Sequence, residues 1–164
     1  MNRTQTSQPT PPRLTVVAWP DPLTEAHGHR PGSAYVEAVW LGVLGPSATW
    51  AWSRLARIAS TRPGVTIDST DLATSLGLGE NLAANAAISR TLGRLVAFDA
   101  AQRGADIIAV RVALADLPAR RLSRLSPSAR LAHDRLSHHL LPAWPATTAA
   151  AAVEPSTPPM EVSL

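Results

Sequence analysis

Arg90 and Arg94 stand four residues apart among Ala83, Ala86, Ala87, Gly93 and Ala97. At about 100° per residue these positions share one side of a helix expected from about Leu82 to Ala97. The opposite side carries Ala84, Ile88, Leu92, Leu95 and Val96 and is the core face. Small side chains let a helix approach a groove closely, and a guanidinium donates paired hydrogen bonds to phosphate oxygens or to the edge of a guanine. Asn85 and Ser89 fall on the flank, where an amide and a hydroxyl bond phosphate or base. The chemistry these types suit is contact with double-stranded DNA, through Asn85, Ser89, Arg90 and Arg94. The competing reading is a solvated face of helix-favouring residues, or a face buried against another subunit. Arg103 lies in Gln102-Arg103-Gly104-Ala105, a polar turn expected between two short strands, with a glycine where positive φ is easiest. At a hairpin tip it would meet phosphate or the minor groove; otherwise it is an ordinary exposed turn residue.

The remaining chemistry-bearing groups point less clearly. Arg120, Arg121 and Arg124 cluster after Asp116 and Pro118 and suit either a wider phosphate footprint or a solvated helix face. Trp50 with Arg54 and Arg57 marks a partner surface, or else a tryptophan packed beneath the Ser33 to Leu41 helix or the N-terminal arm; packing is the favoured account. His133, Asp134, His138 and His139 are the densest set of metal-ligand types, but His133 and His138 are five apart rather than the four that put two ligands on one helix face. His27-Gly28-His29 reads as a loop. With no cysteine there is no thiolate site, disulfide or cysteine nucleophile. No phosphate-binding glycine loop, nucleophile elbow or carboxylate pair is present. The expectation is a protein that is not an enzyme and has no metal site and no cofactor.

These candidates need elements to hold them. Ala48, Ala51, Trp52, Leu55, Ile58 and Ala59 recur at helical spacing after Pro46, which suits a first helical turn. Pro63-Gly64 stops that helix, and Val65-Thr66-Ile67 alternates as a short strand. Asp68-Ser69-Thr70 caps a helix from Asp71 to Leu76, ended by Gly77 and Gly79, and the Leu82 to Ala97 helix follows. Phe98 to Ala101 and Asp106 to Val112 then form a hairpin. Leu55, Ile58, Leu72, Leu76, Ile88, Leu92 and Leu95 are the expected core. Upstream, Leu14 to Trp19 is β-like, either pairing at a sheet edge or packing Trp19 onto the domain. Ser33 caps a helix to about Leu41, broken by Gly42 to Gly45. Downstream, one helix opens at Asp116 and Pro118 and another at Ser126-Pro127, with Ala129, Ala132, His133, Leu136 and Leu140 on a face.

The order from Val65 to Arg111, with the helix after Pro46 in place of the first of three helices, resembles the winged helix-turn-helix, a domain most often used to place one helix in a DNA major groove. Tyr35 to His133 as a whole is similar to small uncharacterised winged-helix proteins of actinobacteria. Trp40-Leu-Gly-Val-Leu-Gly-Pro-Ser-Ala, about ten residues, more weakly resembles the opening of the winged-helix domains of Gram-positive primosomal proteins of the DnaD and DnaB kind. The fold class implied is mainly α with a small β-hairpin, a winged helix-turn-helix with extra N- and C-terminal helices. The function implied is sequence-specific or general binding of double-stranded DNA through helix 82–97 and wing 98–112, in a transcriptional regulator. The alternative is a protein-interaction winged helix in a replication or mobile-element assembly. A homodimer is the default for a domain that reads few bases.

Composition sets the frame. The chain has 164 residues, 45% hydrophobic, and a net charge of +3. Every one of its fifteen basic residues is arginine. Residues 33–141 hold twelve arginines against eight carboxylates, or +4, a mild excess compatible with nucleic acid. Prolines crowd both ends. The expected organisation is a disordered tail 1–13, an arm with a short strand and loop 14–32, the domain with its C-terminal helices 33–141, and a disordered Pro/Ala-rich tail 142–164. No apolar run approaches the ~18 residues of a membrane span. The expectation is a cytoplasmic protein with no membrane contact.

Overall fold

The computed structural model describes residues 8–137. In chain order these form β1 (Arg13–Ala18), α1 (Pro22–His27), a π-helical turn Val36–Trp40 that runs into α2 (Leu41–Leu44), α3 (Pro46–Thr61), β2 (Val65–Asp68), α4 (Ser69–Ser75), α5 (Ala87–Ala97), β3 (Ala101–Arg103), β4 (Ile107–Val110), α6 (Ala119–Leu122) and α7 (Pro127–Leu136). The architecture is mixed: helices packed around one four-stranded sheet of order β2-β1-β4-β3. The sequence suggested the hairpin and a short strand over Val65 to Ile67, with Leu14 to Trp19 β-like and either at a sheet edge or packed on the domain.

The added strand is β1, and it lies in the interior of the sheet. It pairs antiparallel with β2, from Arg13 opposite Asp68 to Val16 opposite Val65. Its other edge pairs parallel with β4, from Thr15 opposite Ile107 to Ala18 opposite Val110. Alternation explains the placement: Leu14 and Val16 point inward and are fully buried, as strand period two requires. The segment expected as an arm is therefore a central strand. It bridges the strand before α4 to the hairpin after α5.

Helix α3 is the spine against which the sheet and α5 pack. Its apolar stripe places Ala48, Ala51, Trp52, Leu55 and Ala59 in the core, with Ile58 partly buried against it. From α4 and α5 come Leu72, Ile88, Leu92 and Leu95, and Leu76 packs on the edge of the same cluster. The expected seven-residue core is thus one cluster. Trp52 donates its indole N–H to the Arg111 carbonyl at 2.8 Å and Trp40 donates to Ala115 at 2.9 Å, so both buried indoles secure the chain leaving β4. Asp68 caps α4 by accepting from the Thr70 and Asp71 amides, and Gly77, at φ 69°, ends it. The helix before α3 does not break at Gly42; it continues to Leu44 and turns at Gly45.

The loop expected around His27 to Gly32 follows the end of α1 at His27 and is anchored through His29, the one buried residue of the stretch. Asp21 caps α1 through the Thr24 amide and hydroxyl. A Cβ on Gly28 would lie 2.4 Å from the Thr24 carbonyl oxygen and 2.8 Å from that of Leu114. Only glycine permits this approach, which lets His29 exchange backbone hydrogen bonds with Leu114. The His29 ring stacks on Tyr35 at 3.8 Å between centroids, and its Nε2 lies 2.7 Å from an Asp116 carboxylate oxygen. The Tyr35 hydroxyl accepts from the Leu117 amide at 2.9 Å and lies 2.7 Å from His133 Nδ1 on α7. One phenol oxygen thus joins the π-helical turn, the 114–117 segment and the last described helix. Burial, reinforced by the Asp116 carboxylate and opposed by the Leu117 amide, pushes this phenol up to about 12.

That shift has a defined sign. The chain has a single tyrosine and no cysteine, and all its basic side chains are arginine. Tyr35 is then the one side chain expected to titrate between about pH 9 and pH 12. A phenol whose folded pKa exceeds its unfolded value of about 10 contributes stability that is full below pH 10 and lost as pH rises through the folded value. Denaturant titrations should show stability falling from about pH 10 to pH 12. Tyr35→Phe should abolish that fall while costing about 1–3 kcal/mol at neutral pH, because the Leu117 amide loses its acceptor. An unchanged alkaline profile in the variant would contradict the arrangement.

Candidate nucleic-acid interface

Helix α5 begins at Ala87, five residues later than the sequence suggested. Residues 80–86 form turns, in which the Asn81 side chain accepts from the Ala83 amide at 2.8 Å. An Asx turn competes with the helix for the same amides and so delays its start. Asn85 is exposed but sits in this turn, not on the helix. Ala83 is exposed there too, whereas Ala86 is buried.

Arg90 and Arg94 project from the exposed side of α5 as the helical spacing required, opposite fully buried Ile88, Leu92 and Leu95. The two differ in freedom. Arg94 donates to the Val43 carbonyl at 2.7 Å and its guanidinium lies 5.2 Å from the Phe98 ring centroid. The same ring receives Arg121 at 4.3 Å. Between α5 and the start of α3 runs a groove of about 420 Å³, lined by Gly45, Pro46, Ser47, Leu78, Arg90 and Arg94 among others, with no carboxylate in its walls among the described residues. The first-turn amides of α3 lack intrahelical acceptors and add positive potential at this mouth. A phosphate fits this chemistry.

Two expected contact residues take other roles. Ser89 is fully buried: its hydroxyl lies 2.8 Å from the Thr10 hydroxyl and donates to the Leu82 carbonyl. The Thr10 amide donates to the same carbonyl at 2.8 Å. The flank of α5 that carries Ser89 is covered by residues 8–10, a segment that reads as a tail from its prolines alone. Ser89 is thus removed from any DNA-facing surface.

Arg103 is not at the hairpin tip. It lies in β3, opposite Ile108, and its guanidinium donates to the carbonyls of Gln8 and Pro9, at 3.2 and 2.7 Å, and to the Thr10 hydroxyl at 3.3 Å. Burial lowers its pKa. The tip itself is Gly104, Ala105 and Asp106, exposed and without a cation. Gly104 does not adopt positive φ; the left-handed residue is Asp99, at φ 58°, where the chain leaves α5. β3 runs on to Arg103, two residues past the expected strand end, and the shorter turn 104–106 excludes Arg103.

Several residues elsewhere take roles that local spacing does not reveal. Arg111 pairs with the Asp21 carboxylate and lies 3.9 Å from the Trp19 ring centroid. Burial alone would raise Asp21, but hydrogen bonds from Thr24 and the Arg111 charge outweigh it and hold the carboxyl below its ordinary value. Trp50 is 66% exposed, contrary to the packed role expected of it. His133 and His29 both contact Tyr35. Among the described residues no three metal-ligand side chains gather, and His138 and His139 lie outside those residues, as does the expected tail 142–164. No helix among the described residues is long and apolar enough to cross a membrane.

The Arg103 cluster gives a sharp expectation. Arg103→Ala should release residues 8–10 and cost about 1–2 kcal/mol, since charge-assisted bonds to carbonyls are stronger than neutral ones but these are part-exposed. Hydrogen exchange at the Thr10 amide should accelerate well beyond the change in global stability. Unaltered protection at Thr10 would show that the arginine does not hold the segment.

No family model, curated protein or solved structure matches this chain.

Proposed function

We propose that this protein is a winged helix-turn-helix that binds double-stranded DNA, with α5 entering the major groove, and that it serves as a regulator of transcription. The element order supports this reading: α3, β2, α4, α5 and the β3–β4 hairpin follow one another as such a domain requires. The observation that carries it is the Arg90/Arg94 face, exposed on one side of α5 beside a groove without carboxylates. Arg90 has the free reach suited to a base edge. Arg94, anchored on Val43 and Phe98, is placed to hold a phosphate. Asn85, exposed at the turn before α5, supplies an amide.

A second reading is a protein-interaction winged helix. It is favoured by the engagement of Arg103 with residues 8–10 and by the cation-free hairpin tip, which reduce the positive footprint. A mobility-shift series on random duplex DNA across salt concentrations separates the two. If α5 docks in the groove, Arg90→Ala should weaken binding and relax sequence preference by about 1–3 kcal/mol, and Arg94→Ala should mainly reduce the salt slope by about 1. An Arg90/Arg94 double alanine variant that keeps full binding and its circular dichroism spectrum would rule out this docking mode. Failure of the parent to bind at about 10 mM salt, where screening is weak, would favour the protein partner.

A further inference from the structure

We infer that the cleft between α3 and the end of α4 is a docking site for an acidic segment of a partner protein that inserts an apolar side chain beside its carboxylates. The cleft is about 850 Å³, and its walls include Trp50, Arg54, Arg57, Ile58, Ser75 and Leu76. Trp50, Arg54, Arg57 and Thr61 follow at helical spacing along one exposed face of α3, the face opposite the Trp52 and Leu55 core stripe. This is a composite surface: an indole rim, an apolar floor and two cations.

Two features decide the occupant. The first is Trp50, 66% exposed in a chain whose Trp52, two positions along, is fully buried. A large ring left in water at the rim of an apolar cleft loses the burial it would gain against a partner, and tryptophan and arginine are the types that dominate the energetics of protein interfaces. The second is charge. Among the described residues the only ionisable side chains lining the cleft are Arg54 and Arg57, with no carboxylate in the walls. Arg54 is set by its bond to the Ser75 hydroxyl at 2.8 Å, so its orientation is fixed before any ligand arrives. An acidic partner gains charge-assisted bonds there without first displacing an internal ion pair.

A nucleic-acid strand is the less suitable occupant. Two arginines on one helix make a short positive track, and Ile58, Leu76 and Pro46 line the site with aliphatic groups that neither bond nor stack a sugar–phosphate chain. The inference stands apart from the proposed DNA contact by α5: Pro46 and Ser47 line both hollows, but the indole and the cations are different, and either surface can fail alone.

Selection of a random dodecapeptide display library on the intact chain tests it, with a Trp50→Ala/Arg54→Gln/Arg57→Gln variant as the counter-selection. All three side chains are exposed, and unchanged circular dichroism confirms that the variant folds. The expected result is enrichment, on the parent only, of peptides with Asp or Glu next to an aromatic or aliphatic residue. A synthetic copy should lose at least about tenfold in affinity for the variant and for each of Trp50→Ala and Arg54→Gln. Enriched peptides without acids, equal enrichment on the variant, or no enrichment overturns the proposal. So does tight binding of a single-stranded oligonucleotide that the same three substitutions abolish.

Discussion

The sheet hangs on one strand near the front of the chain, paired on both of its edges. β1 supplies hydrogen-bond partners to β2 on one side and to β4 on the other. Without it, β2 and the β3–β4 hairpin would each present an unpaired edge, and Leu14 and Val16 would leave the centre of the core. A short two-stranded hairpin is marginal by itself in water, whereas three or more strands with an apolar face packed on helices are stable. The Thr15 amide donates to the Asp106 carbonyl and the Trp19 amide to that of Val110, which fix the hairpin from both ends. The orientation of α5 follows, because α5 leads directly into β3.

The segments flanking that strand extend the same logic. Upstream, residues 8–10 lie over the flank of α5, held by Ser89, Leu82 and Arg103. Downstream, α1 leads into His29, whose ring is layered on Tyr35, and Tyr35 reaches α7 through His133. The N-terminal part of the chain therefore contacts the hairpin, the long helix α5 and α7, the last described helix. Two guanidiniums that composition would count as free positive charge, Arg103 and Arg111, are consumed in these contacts. What remains outward on α5 is a small, acid-free arginine face, and what remains outward on α3 is the Trp50 cleft.

Much of the helical core was legible in the sequence because it is periodic. The stripe from Ala48 to Ala59 and the set Ile88, Leu92 and Leu95 fall where helical spacing puts them, and Asp68 and Gly77 mark the ends of α4 as their side-chain and backbone preferences dictate. The contacts that were not legible are long-range. A strand pattern such as Leu14 to Trp19 states that one face is buried but not which strands lie beside it, and a parallel partner ninety residues away leaves no local mark. Ser89 and Arg103 read as surface groups because nothing in their own segments shows that residues 8–10 return to cover them. Trp50 was misplaced for the opposite reason: hydrophobicity argues for burial, but the phase of its helix points it away from the stripe that Trp52 and Leu55 define. Tyr35 joins residues 98 positions apart, a pairing visible only in three dimensions.

Native-state hydrogen exchange of the β1 amides tests the central claim most directly. If β1 is an interior strand on which the fold depends, the Thr15 and Trp19 amides, and the Gly64 amide that donates to the Val16 carbonyl, should exchange only through global unfolding. Their opening free energy should equal that of core amides in α3 and follow it under added denaturant. Exchange of Thr15 and Trp19 at rates typical of a frayed terminus, while α3 stays protected, would contradict the account and return this segment to the status of a loosely attached arm.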